Sequence, residues 1–173
     1  TIEAYQEAIA NAWDNAVEVE NVEKIGLGIV SEYGKGSKEA EEDKGAAVQF
    51  NSTFAVVALD KEDKIVKTLV DVAQNTVAFT KEGGLETDVN KPGTTKKELG
   101  SEYGMKDASE IGKEWDEQIV VLEDWTIGKT KEDISSLELD ENQVAKDADL
   151  KAGITVSLTG YQEAILKAIE NVK

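Results

Sequence analysis

Any chemistry this chain performs must come from carboxylates, lysines, hydroxyls and amides, because its 173 residues include neither cysteine nor histidine. That removes disulfides, thiolate ligands, cysteine nucleophiles, Ser-His-Asp catalysis and most zinc arrangements. Oxygen-ligated calcium or magnesium stays open. Carboxylates cluster at Glu39, Glu41, Glu42 and Asp43, at Asp60, Glu62 and Asp63, and at Asp140, Glu141, Asp147 and Asp149. None of these stretches follows the D-x-[DN]-x-[DN]-G calcium pattern, and each reads as solvated surface. A glycosidase needs two acids facing each other across a cleft, and spacing alone selects no such pair. No metal ligand and no catalytic residue is therefore assigned, and a carboxylate-based cation-binding module stands only as an alternative. Gly26, Gly28, Gly34 and Gly36 form neither G-x-G-x-x-G nor a Walker loop. Trp13, Trp115 and Trp125 fall on apolar helical faces and read as core rather than a ligand cage. Tyr33 and Tyr103 each stand beside glycine and read as turn packing.

The elements that would position these groups follow from periodicity. Tyr5, Ala8, Ile9, Ala12, Trp13 and Ala16 recur at helical spacing, giving a first helix within residues 1–18. Tyr161, Ala164, Ile165, Ala168, Ile169 and Val172 repeat that face at the other end, and both segments contain the string YQEAI. Thr159 and Gln162 have capping-box spacing. The shared string and matched face favour tandem duplication, with the first helix as the tail of a preceding unit, over a chance likeness of two Ala- and Glu-rich helices.

Between the two helices the pattern turns strand-like. Strands are expected over Ile25 to Tyr33, Gly45 to Leu59, Ile65 to Val72 and Thr76 to Phe79, with a polar loop after Tyr33 and a turn at Asp60 to Lys64. Val48 and Phe50 alternate with polar neighbours, and Phe54, Val56 and Ala58 alternate again. KEGGLETDVNKPGTT is a break. A short helix is expected behind Thr95, with Glu98 in the box position, and Asp107 is placed to cap a long helix carrying Ile111, Trp115, Ile119 and Leu122. KTKEDISSLELD reads as one more short helix. The fold class is α+β: one domain over 1–173, an antiparallel sheet packed against several helices.

Composition sets outer limits. Apolar residues make up 40% of the chain and there is one proline, so a packed core is affordable. The formal net charge of -17 repels nucleic acid and anionic membranes, so no nucleic-acid partner is expected. No run of about 18 apolar residues is present, so no transmembrane segment is expected.

The C-terminal stretch DADLKAGITVSLTGYQEAILKAIENVK resembles the signature of small FMN-binding domains of secreted and membrane-anchored bacterial flavoproteins. The resemblance implies that Asp149 matches the family aspartate, Gly153 its glycine, and Thr155 the threonine that carries FMN through phosphate. Ser157 (or Val156) stands at a second small hydroxyl position. The stretch departs from the family at Ala152, which replaces a serine, at Ile154, which replaces an alanine, and at Lys151, which enters a small neutral run. GKEWDEQIVVLEDWTIGKT also resembles a stretch of uncharacterised exported lipoproteins of Gram-positive bacteria. These resemblances imply an FMN-binding-domain-like fold and extracellular, cell-surface or membrane-anchored placement. They also imply a lipid anchor upstream and an adjoining homologous unit. The expected function is a non-catalytic extracytoplasmic ligand-binding or structural domain without a cofactor. The alternative is an FMN-carrying electron-transfer domain with flavin on Thr155.

Overall fold

Two glycines on one face of a strand decide how this molecule is assembled. In the computed structural model, which describes residues 2–91 and 93–173, strand β1 spans Lys24–Tyr33 and turns Gly26 and Gly28 toward the interior. It pairs antiparallel with β2, Ala47–Leu59, which pairs antiparallel with β3, Ile65–Ala78. The sheet is three-stranded in the order β1-β2-β3. The two strand candidates over 65–79 are thus one continuous strand, because Gln74 and Asn75, polar as they are, still find partners in Asn51 and Phe50 of β2. The tight β2–β3 turn comes from Asp60, whose Oδ1 accepts from the Glu62 and Lys64 amides at 2.8 and 2.9 Å, with Asp63 at φ 61°.

Helix α6, Thr159–Glu170, lies across the inner face of β1 and β2. Its Ala164 and Ala168 sit directly on Gly28 and Gly26. A Cβ at Gly28 would stand 2.0 Å from the Ala164 carbonyl oxygen, and one at Gly26 2.0 Å from that of Ala168. The glycines are there for close backbone approach. Helix α6 also tends the open edge of β1. Lys167 Nζ donates to the Ile29 carbonyl at 2.8 Å, Asn171 Nδ2 to that of Leu27 at 3.0 Å, and the Lys173 and Ile25 backbones exchange hydrogen bonds.

Helix α3, Trp115–Trp125, packs against β3 and buries Trp115, Ile119 and Leu122. Its buried Glu123 accepts from the Val70 amide at 2.7 Å and pairs with Lys97, closing the edge of β3. The short α2, Lys96–Leu99, has the expected Thr95–Glu98 capping box and runs into a 3-10 turn, Gly100–Tyr103. Helix α4, Lys131–Ser135, has a Thr130–Asp133 box, buries Ile134 and packs on α6. Helix α5, Ala148–Lys151, is capped by Asp147. These elements share one core with Ala55, Val57, Leu59, Ile65, Val70 and Val72 of the sheet. The α+β class stands: a three-stranded antiparallel sheet packed against several helices.

Several expectations are corrected. Asp107 does not cap α3. The segment around it forms turns, and the N-cap of α3 is Glu114, seven residues further on, whose carboxylate accepts from the Met105 and Lys106 amides and whose own amide donates to Glu117 Oε2 at 2.8 Å. Ile111 therefore lies outside the helix. Thr159 and Gln162 form no box: Leu158 is the N-cap residue, and Gln162 Nε2 reaches the Ile134 and Leu137 carbonyls instead. Trp13 is not core but 82% exposed, on a helix α1, Glu3–Asp14, that buries no residue. Thr1 and Pro92, in the expected first helix and the expected break, lie outside the described residues.

Candidate functional site

Along the inner face of the sheet, residue type changes from apolar to polar. In β2 the inward row reads Leu59, Val57, Ala55, Thr53, Asn51 and Gln49. In β3 it reads Val70, Val72 and Gln74. Glu32, Asn51 and Gln74 stand in one cross-strand row, and Val30, Thr53 and Val72 in the next. The core ends at the second row. Beyond it the strands cannot pack against α6 without burying amides, so the sheet and helix leave a cleft of about 270 Å³.

The wall opposite these strands is built by Lys96, Tyr103, Ser157, Gly160 and Tyr161. Trp115 forms the rigid backing. Its Nε1 donates to the Tyr161 hydroxyl at 2.9 Å, with ring centroids 6.1 Å apart in an edge-to-face arrangement. Burial pushes the Tyr161 phenol up to about 12, so it is a neutral hydroxyl at physiological pH. Burial also raises the Tyr103 phenol, with the Glu114 charge as a second cause, and its hydroxyl donates to Gln74 Oε1 at 3.3 Å.

Lys96 is the unusual group. The capping box of α2 fixes the backbone on which it stands. Its Nζ lies 4.6 Å from the Tyr103 ring centroid and 5.3 Å from that of Trp115, within cation–π range of both. It makes no ion pair among the described residues. Burial pulls its pKa down to about 8, and repulsion from Lys35, also on the cleft wall, adds to the effect. In a chain with 36 acids against 19 bases, this half-buried ammonium has no carboxylate in ion-pair contact among the described residues; Asp71 acts on it only as a more distant attractive charge.

The residues carried over from the C-terminal motif are dispersed. Asp149 is exposed on α5. Gly153 is buried with the Val121 side chain 2.8 Å from where its Cβ would be. Thr155 is half-buried, and its amide and hydroxyl both donate to Gln118 Oε1, at 2.9 and 3.2 Å. Between them Ile154 is fully buried in the core. Ser157 lines the cleft and donates to Gln143 Oε1 at 2.8 Å; Asp149, Gly153 and Thr155 do not line it. The acidic clusters serve turns and surface pairs. Asp140 Oδ1 accepts from the Asn142 and Val144 amides, Asp63 pairs with Lys24 at 2.6 Å, and Glu41 with Lys44 at 3.5 Å. Among the described residues no three acids converge as a metal site.

Lys96, Gln49, Asn51 and Gln74 escaped the sequence reading. The signal was present in QFNST, where polar Gln49, Asn51 and Thr53 share the parity of the buried Ala55 and Val57. The apolar alternation of Val48, Phe50, Phe54 and Val56 marks the other face of the sheet, opposite α6, where Phe54 and Val56 border a cavity with Asn11 and Ala12 of α1.

No family model matches the chain, no curated protein is detectably similar to it, and no solved structure matches it. No helix among the described residues is long and apolar enough to cross a membrane.

Proposed function

We propose that this is a non-catalytic ligand-binding domain whose cleft takes a small polar anion. The observation that carries the reading is Lys96, a half-buried ammonium backed by two aromatic rings, in no ion pair among the described residues, in a cleft lined by the amides of Gln49, Asn51 and Gln74 with Glu32 at its side. An anionic group on the ligand would supply the missing counter-charge, and a charge-assisted hydrogen bond there is about twice as strong as a neutral one. Gln49, Asn51 and Gln74 offer donors and acceptors for the ligand's polar body, and Tyr103 lines the same cleft. Extracytoplasmic placement belongs to the same proposal and rests on the resemblance of the C-terminal segment.

The test is thermal unfolding with inorganic phosphate and with simple carboxylates at pH 7 and pH 9.5. Binding to the folded state raises Tm by mass action. The rise is expected at pH 7, weaker at pH 9.5 where Lys96 is neutral, and absent in Lys96→Gln. An equal rise in that variant rejects the reading.

The flavin alternative would use Thr155. Its hydroxyl would have to leave Gln118, and the loop around it offers little open space, since Ile154 is in the core and Gly153 abuts Val121. The residues present therefore do not form a ready phosphate cradle, and the anion-binding cleft is the better supported site.

A further inference from the structure

Helix α1 has the face of a core helix but buries nothing: Asn11, Ala12 and Asn15 only border an open cavity over the outer face of the sheet, beside Phe54, Val56 and Leu69. Tyr5, Ile9 and Trp13 are 73, 70 and 82% exposed, and no residue of α1 is buried. Such a stripe is expected to have a partner surface. The chain itself shows what a helix of this kind packs against. Helices α1 and α6 are both 12 residues long. In one register Tyr5, Gln6, Glu7, Ala8, Ile9, Ala12 and Asn15 match Tyr161, Gln162, Glu163, Ala164, Ile165, Ala168 and Asn171. Both end on an asparagine at φ -98°, ψ 9°.

The match reaches the residues that specify docking. Ala164 and Ala168 are the small residues that meet the glycines of β1, and α1 has Ala8 and Ala12 there. Tyr161 and Ile165 fill the core, and α1 has Tyr5 and Ile9. Gln162 caps the end of α4, and Asn171 bonds the open edge of β1. In α1 the matching Asn15 amide turns back on its own helix, donating to the Asn11 carbonyl at 2.8 Å. An amphipathic helix alone would need only the apolar stripe. The match at both alanines and both amide anchors fits one specific seat rather than a generic apolar surface.

We infer that α1 is the closing helix of a second copy of this fold, seated on a β1-type strand through two glycines opposite Ala8 and Ala12. The partner is therefore a homologous sheet, not a membrane or an unrelated helix. The linker Asn15–Glu23 then joins the two units, with Val17, Val19 and Val22 lying along the outer apolar face of β1–β3 beside Ile25 and Leu69.

The experiment places residues 19–156 directly before residue 1, so that α1 falls where α6 stands in an upstream copy, and keeps the full chain downstream as an internal control. Amide hydrogen exchange is read for α1 in this fusion and in the chain of 173 residues. The expected result is rapid exchange of α1 in the single chain, and protection by at least 100-fold in the fusion, with a folded upstream copy. Ala12→Leu should remove that protection and unfold the upstream copy while α6 of the downstream copy stays protected. An unprotected α1 beside a folded downstream domain overturns the inference. So does an α1 already protected in the single chain, which would mean that it folds back on its own sheet.

Discussion

Gly28→Ala tests the contact on which the fold turns. The added methyl would meet the Ala164 carbonyl oxygen at 2.0 Å and the Ala168 amide nitrogen at 2.6 Å, both backbone atoms that no rotamer change can move. Restoring an ordinary 3.4 Å contact requires α6 to retreat by about 1.4 Å. The helix buries Tyr161, Ala164, Ile165 and Ala168, together worth roughly 5–8 kcal/mol of burial. A gap near 1 Å forfeits up to about half of such contacts, so the loss is about 2–3 kcal/mol. Reduced freedom of the unfolded chain returns about 0.5–1 kcal/mol. The net cost is about 2 kcal/mol, which for a chain of this size lowers Tm by roughly 4–8 °C. Thermal unfolding followed by circular dichroism measures it. Gly84→Ala is the control, since that glycine is exposed and meets only the Thr80 side chain; its Tm should move by less than about 2 °C. An unchanged or raised Tm for Gly28→Ala would refute the close-packing account of α6.

Lys96 is expected to cost stability below pH 8. Its pKa is lowered from 10.5 to about 8 on folding, so the unfolded chain binds more protons between those values and the penalty is relieved as pH rises through that window. The ceiling is roughly 3 kcal/mol, reduced to about 1–2 kcal/mol by the part of the side chain that remains in water. Lys96→Met should therefore be more stable than the parent at pH 7 by about that amount, with the difference shrinking toward pH 10 in urea titrations; a pH-independent difference contradicts the assignment. Trp115→Ala should cost about 3–5 kcal/mol, because it removes a fully buried ring and the partner of the Tyr161 hydroxyl. Trp13→Ala should leave the urea midpoint unchanged, and iodide should quench Trp13 fluorescence in the folded chain while sparing Trp115.

Local pattern made most of the architecture legible. The capping box at Thr95, the Asp60 turn, the strands on either side of it and the helical face of residues 161–172 depend on near neighbours, and near neighbours are what a sequence displays. The start of α3 was misplaced because Asp107 and Glu114 are both competent caps; what decides between them is that Glu114 also gathers the Met105 and Lys106 amides, a contact across a folded turn. The cleft was missed for the same kind of reason. Lys96 looks like any surface lysine until the packing of the short helix α2 brings its Nζ to within 5.3 Å of the Tyr103 and Trp115 rings, which stand on two other elements.

The sequence alone determined that chemistry here excludes thiol and imidazole, that the fold is α+β, and that one helix pattern occurs twice. Tertiary structure decided which copy is structural. Helices α1 and α6 share their apolar spacing, so periodicity cannot tell them apart. Only α6 has a strand with two glycines beneath its alanines, and burial depends on what lies opposite a face rather than on the face itself.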